Sequence, residues 1–322
     1  MPLRERRGSP WTGLGTVIAK ETADHLSGVR MVVIEVLVYL VALVVAWFST
    51  TTIRESIGES PFLFLRLLTT APDPIPFSFL GMVGLVTPII AIAFGFDAIN
   101  GEFNQRTLSR ILAQPIYRDA LLFGKFLARL LALTIALVSL WLLVLGLGFI
   151  RLGLPPGFEE LIRMLGFLVA TIAYGGVWLA LAMLFSVLFR APATAALAAL
   201  GMWLLFTLFW SVLVTPLLAT LIAGPSEGIL GPSVAYAETA QILNRLSPET
   251  LYGDTTLALL QPSTRALGLV FVSQLRGALL GAPLPVAQSF LLIWPQLTGL
   301  IATTIVLFVI AYILFQRQEI RA

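Results

Sequence analysis

The stretch Gly95-Phe96-Asp97-Ala98-Ile99-Asn100-Gly101-Glu102, continuing through Arg106-Thr107-Leu108-Ser109-Arg110-Ile111-Leu112-Ala113-Gln114-Pro115-Ile116-Tyr117-Arg118 to Gly124-Lys125, decides how this chain is read. It is a charged island between two long apolar runs. Of the 322 residues 58% are hydrophobic and only 11% charged, more apolar surface than a soluble core can hide. So dense a polar stretch in such a chain belongs where it meets water or a soluble partner. The runs on either side of it are membrane spans, and the chain reads as an all-α polytopic membrane protein.

Crossing the hydrocarbon core takes about 20 predominantly apolar residues. Six segments meet or approach that length: residues 31–48, 81–96, 126–150, 165–188, 193–222 and 294–315. In the last, Leu300, Ile301, residues 305–310 and residues 313–315 contribute about 3 to 7 kcal/mol of favourable insertion, and no charge opposes them. Pro88 is expected to kink the second span and Pro216 the fifth. No internal repeat divides the chain, so residues 1–322 read as one membrane domain.

Basic residues set the orientation. With the amino terminus inside, the cytoplasmic side holds Arg4, Arg6, Arg7, Lys20, Arg30, Arg106, Arg110, Arg118, Lys125, Arg129, Arg190, Arg317 and Arg321. The outer side holds Arg54, Arg66, Arg151, Arg163, Arg245, Arg265 and Arg276. Both termini are therefore expected in the cytoplasm, in a plasma membrane of prokaryotic type. The net charge of +3 reflects topology rather than nucleic-acid binding.

The flanking segments differ in kind. Residues 1–30 carry no removable signal pattern, and Trp11, Leu14, Val17, Ile18 and Leu26 gather near one helical face beside Lys20, Glu21 and Asp24. This predicts an interfacial helix on the inner leaflet. The single histidine, His25, is expected to be a surface or interfacial residue, with no chemistry assigned. Residues 223–293 form a large external loop between the fifth and sixth spans, rich in proline, with a helical stretch at 267–280 interrupted by Arg276. Cysteine is absent, which excludes disulfides and thiolate metal sites.

Within the loop of residues 97–125, Phe103, Thr107 and Ile111 recur every fourth residue, as do Leu108 and Leu112, beside Arg106 and Arg110. That spacing predicts a short amphipathic helix ending near Gln114, before Pro115. Such a helix either seats in a partner's groove or lies on the inner leaflet with its arginines on lipid phosphates. Intramembrane charge is expected only at Glu35 and Asp97, each near an interface. There are no paired intramembrane carboxylates, no serine with a histidine base and no phosphate loop: Gly124-Lys125 is followed by Phe126, and Asp119 stands where that loop has its first glycine. An apolar interior favours an amphipathic or lipid-like cargo.

The chain resembles the permease subunits of type 2 ATP-binding-cassette (ABC-2) transporters, particularly the branch containing the permease of nitrous-oxide-reductase maturation. The family's loop pattern is met by Glu102, Thr107-Leu108, Ile111-Leu112, Pro115, Arg118 and Gly124-Lys125. Arg106 departs from the glycine usual before Thr-Leu. The amphipathic amino-terminal helix with Lys20-Glu21 is a second match, and Leu246-Ser247-Pro248 with Tyr252 a third. The resemblance implies two permeases, identical or sister chains, and two cytoplasmic ATPases. ATP and magnesium would be held by the ATPase, no cofactor by this chain, and export would be driven through a coupling helix. It assigns ATPase coupling to Glu102, Arg106, Thr107, Leu108, Arg110, Ile111, Leu112, Pro115 and Arg118, and it leaves the cargo unnamed. A stand-alone secondary transporter and an ATPase-tethered scaffold without cargo are the alternatives.

Overall fold

A computed structural model describes residue 11 and residues 13–55, 62–104, 117–224, 233–262 and 284–318. The chain forms α1 (Leu14–Ser27), α2 (Val29–Glu55), α3 (Leu63–Thr69), α4 (Phe79–Gly95), α5 (Asn100–Asn104), α6 (Arg118–Leu152), α7 (Phe158–Leu188) and α8 (Pro192–Leu204). A π-helical segment, Leu205–Val214, leads into α9 (Thr215–Ala223), followed by α10 (Val234–Asn244), α11 (Pro248–Leu260) and α12 (Val286–Arg317). No strand occurs among the described residues. Among the described residues six helical stretches are long and apolar enough to cross a membrane, and each contains one of the six expected spans.

The fourth span, α7, is the axle of the bundle. In its most apolar stretch 83% of residues are buried, against 17% in α12 and 11% in the fifth span. Lipid tails are as apolar as leucine, so spans gain little by hiding apolar area from one another and associate by close packing. The small residues of α7 permit this: a Cβ on Gly175 would lie 2.7 Å from Leu133 Cδ2 of α6 and 3.0 Å from Thr87 Cγ2 of α4.

The prolines act differently from one another. Pro88 stands buried within the continuous α4. In the fifth span, accommodation extends upstream of Pro216, over the 10 residues of the π-helical segment. Pro216 lacks an N–H for the Val212 carbonyl, and the wider turn lets the Thr215 N–H reach Trp210 O instead.

The segment between the fifth and sixth spans is folded onto the bundle. α10 packs beside α9, while α11 enters the bundle against α7 and α12 and buries Pro248, Leu251, Tyr252, Thr255, Thr256 and residues 258–260. Pro248 opens α11 at a position where a missing N–H costs nothing. Tyr252, one turn later, then faces α7. The stretch 267–280 lies outside the described residues.

Candidate functional site at the loop end of the bundle

Two cations are buried where α6 begins. Lys125 Nζ lies 3.1 Å from Glu21 Oε1 of α1 and 2.5 Å from Glu102 Oε1 of α5. One turn further along α6, Arg129 donates from Nε to the Phe94 carbonyl at the end of α4 (2.8 Å), and from Nη1 to Glu21 Oε2 (3.3 Å) and to the Lys125 carbonyl (3.2 Å). The Lys125 and Arg129 side chains are only 1% and 5% exposed. Buried ions need partners that offset lost hydration, and the two carboxylates balance the two cations. Burial by itself would raise the pKa of Glu21, but Lys125 and Arg129 hold it below the usual carboxylate value.

His25 lies on the face of α1 turned toward α4. It is half-buried and stacked on Phe94, with ring centroids 5.6 Å apart. Burial, reinforced by the neighbouring Arg129 charge, pushes its pKa down to about 4, so it is neutral at pH 7. α1 is docked to the bundle, with Trp11 edge-on to Phe123 at 5.2 Å and Val17 over Gly124. Gly124 is required for that approach, because a Cβ there would stand 2.6 Å from Val17 Cγ1.

Both roots of the loop between α5 and α6 are fixed to long helices. On the α5 side, Ser186 Oγ accepts from the Ile99 and Asn100 amides at 2.9 and 3.2 Å. Asn100 and Asn104 donate to the Phe189 and Arg190 carbonyls at 3.1 and 3.0 Å. On the α6 side, Arg118 donates to Gln318 O at 3.2 Å, and Asp119 accepts from Tyr312 at 2.9 Å and from Gln316. The Gln318 amide in turn donates to Val187 O at 2.6 Å. A cavity of about 220 Å³, lined by Asn100, Phe103, Ser186, Arg190 and Gln318, opens between the roots. Force applied to the loop would therefore meet stiff anchors on α7 and α12 and one ionic joint on α1.

The opposite end of the bundle holds a different polar cluster. Arg163 is fully buried and donates to Glu159 Oε1 (2.9 Å from Nη2), Leu259 O (3.1 Å), Ser289 Oγ (3.0 Å) and Leu284 O. About three turns along α7 from Arg163, nearer the middle of the helix, Tyr174 and Tyr252 stack with ring centroids 4.3 Å apart, Tyr174 donates to the Glu249 carboxylate, and Tyr252 bonds Thr171 Oγ1 at 3.1 Å. Burial raises the pKa of Glu249. Among the described residues no three histidine, aspartate or glutamate side chains gather as metal ligands.

Comparison with known proteins places the chain in a family of membrane transporters. The family model described as "ABC-2 family transporter protein" matches residues 15–320. The chain belongs to this family. It is 29% identical over 304 residues to the "Probable ABC transporter permease protein NosY" of Stutzerimonas stutzeri, covering 94% of this chain and 97% of that protein. The protein of the same description from Pseudomonas aeruginosa is 33% identical over 224 residues, covering 67% of this chain and 73% of its own length.

Of the coupling residues expected in this ABC-2 permease, the structure places two. Glu102 lies in the ion cluster and Arg118 at the root of α6. Arg106, Thr107, Leu108, Arg110, Ile111, Leu112 and Pro115 lie outside the described residues. The sequence reading did not single out the burial of Lys125, Arg129 and Arg163, having limited intramembrane charge to Glu35 and Asp97. One signal was available: Lys125 and Arg129 stand four apart among leucine and alanine, so they share a face and enter the bundle together.

Proposed function

We propose that the chain is the membrane-spanning permease of an ABC exporter, driven by a separate cytoplasmic ATPase that seats on the loop of residues 97–125. The observation that carries this reading is the anchoring of both loop roots on α7 and α12 beside a buried ionic joint. A loop so mounted delivers partner movement to the bundle instead of absorbing it. Membership of the ABC-2 family supports the same conclusion, as does the absence of a phosphate loop in the sequence. ATP and magnesium then belong to the partner, and both termini to the cytoplasm of a prokaryotic cell. A second permease copy or a sister chain would pack on the fifth span, where Leu208, Phe209, Val212 and Leu213 are exposed. The cargo passes outward between the two.

A tagged pull-down from detergent-solubilised membranes, with partners identified by mass spectrometry, tests the reading. The wild type should retain an ATPase in equal stoichiometry, and Leu108→Asp or charge reversal at Arg110 should release it without preventing membrane insertion. Recovery of no ATPase with the wild type, or undiminished recovery with both variants, would overturn it.

A further inference from the structure

The pairing of Gly124 with Lys125 has a physical reading that involves α1 more than the loop. Gly124 leaves the gap that Val17 fills, and Lys125 beside it reaches the Glu21 carboxylate of α1. The same ammonium group holds Glu102, on the five-residue α5 that opens the loop. An ammonium has three N–H donors, so it can serve both carboxylates at once. α1 and α5 are short elements joined to a long, embedded helix through rotatable side chains, and Lys125 is shared by both attachments.

We propose that Lys125 is a positioning residue that passes displacement of the loop to α1, so that the amino-terminal helix moves with the ATPase cycle. This rests on the permease reading above. When Glu102 is drawn toward the loop, its hold on Lys125 weakens and Glu21 takes the larger share of the ammonium, shifting α1 along α6. When Glu102 returns, the ammonium is shared again and α1 relaxes. Arg129 keeps Glu21 paired throughout, whatever share of the ammonium Glu21 holds. α1 is held along α6 and by His25 on Phe94 of α4, and it joins α2 through the single residue Gly28, so a shift at the Glu21 carboxylate moves it as one piece.

The chain has no cysteine, so spin labels can be placed at Ala19→Cys on the exposed face of α1 and at Leu188→Cys at the end of α7. The labelled permease, joined to its ATPase in lipid nanodiscs, is measured by pulsed electron paramagnetic resonance without nucleotide and with ATP bound. The expected result is a nucleotide-dependent change in the label separation, lost in Lys125→Gln and restored in Lys125→Arg. A change that persists in Lys125→Gln, or that is absent in the wild-type complex, would overturn the proposal alone. Lys125→Arg that folds yet behaves like Lys125→Gln would do the same. If Lys125→Gln fails to accumulate, Glu102→Gln serves in its place and must diminish the change; an undiminished change overturns the proposal. Wild-type permease that binds no ATPase would remove the permease reading and this proposal with it.

Discussion

The two ends of the bundle bury charge in opposite ways. At the loop end, Lys125 is held by carboxylates on α1 and α5, and Arg129 divides its donors between Glu21 and two backbone carbonyls. At the other end, Arg163 fastens α7 to the Leu259 carbonyl of α11 and to Leu284 and Ser289 at the start of α12. Bonds to backbone fix the path of the chain itself, whereas bonds to carboxylates on long side chains leave the carrying helix able to shift. At the loop end the Lys125 attachments of α1 and α5 are of the second kind, while the loop roots are held by bonds to backbone carbonyls.

Breaking Arg163 should have the largest effect. Arg163→Met keeps the length and apolar stem but leaves the Leu259 and Leu284 carbonyls and the Ser289 hydroxyl without their donor. Removing one partner of a buried charged network costs about 3 to 5 kcal/mol. Glu159, 40% exposed, can turn to water, which places the expected loss near the lower end of that range. Thermal unfolding of the purified permease in detergent checks it. A shift no larger than that of a surface substitution would show that this end is not the clamp described.

Glycine substitutions on α6 sharpen the comparison. Gly124→Ala puts a methyl 2.6 Å from Val17 Cγ1 and should push α1 outward, costing about 1 to 3 kcal/mol. Gly146 of the same helix has nothing within 4 Å of its Cβ position, so Gly146→Ala should be neutral or stabilise by up to about 1 kcal/mol through helix propensity. Limited proteolysis at α1 distinguishes the two: Gly124→Ala should expose the amino-terminal helix, and Gly146→Ala should leave it protected.

Much of this architecture is legible in the sequence because bilayer thickness imposes a length on apolar runs. All six expected spans fall inside helices, and the amphipathic spacing of Trp11, Leu14, Val17 and Leu26 anticipates α1. What the sequence hides is pairing between distant segments. Lys125 looks like one more basic residue beside a span until Glu21 and Glu102 arrive from elsewhere, 104 and 23 residues away in the chain. The insertion of α11 is hidden for the same reason. A short helix with Thr255, Thr256 and Glu249 reads as external, and only Tyr174 and Thr171 of α7, meeting Glu249 and Tyr252, make its burial tolerable. The π-helical turn is invisible beforehand, because Pro216 is compatible equally with a simple kink.

Acid should separate the loop-end groups from Glu249 by sign, with the smallest effects of the three tests. His25 is depressed to about 4 from an ordinary 6.5, so the unfolded chain takes up its proton first. The stability it contributes is complete above pH 6.5 and is lost as pH falls toward 4. Glu21, also depressed, adds a loss that begins below about its ordinary value of 4.5. Glu249 is raised, so its contribution is present at low pH and is lost as pH rises through its folded value. Each group changes stability by at most about 1.4 kcal/mol per pH unit, and His25, only half-buried, should reach about 1 or less. Unfolding midpoints measured from pH 8 to pH 4 should therefore fall in the wild type between pH 6.5 and 4.5. His25→Gln should flatten that fall, and Glu249→Gln should steepen it by removing the opposing contribution. Equal slopes in all three proteins would mean that neither group is desolvated as the packing on Phe94 and Tyr174 requires.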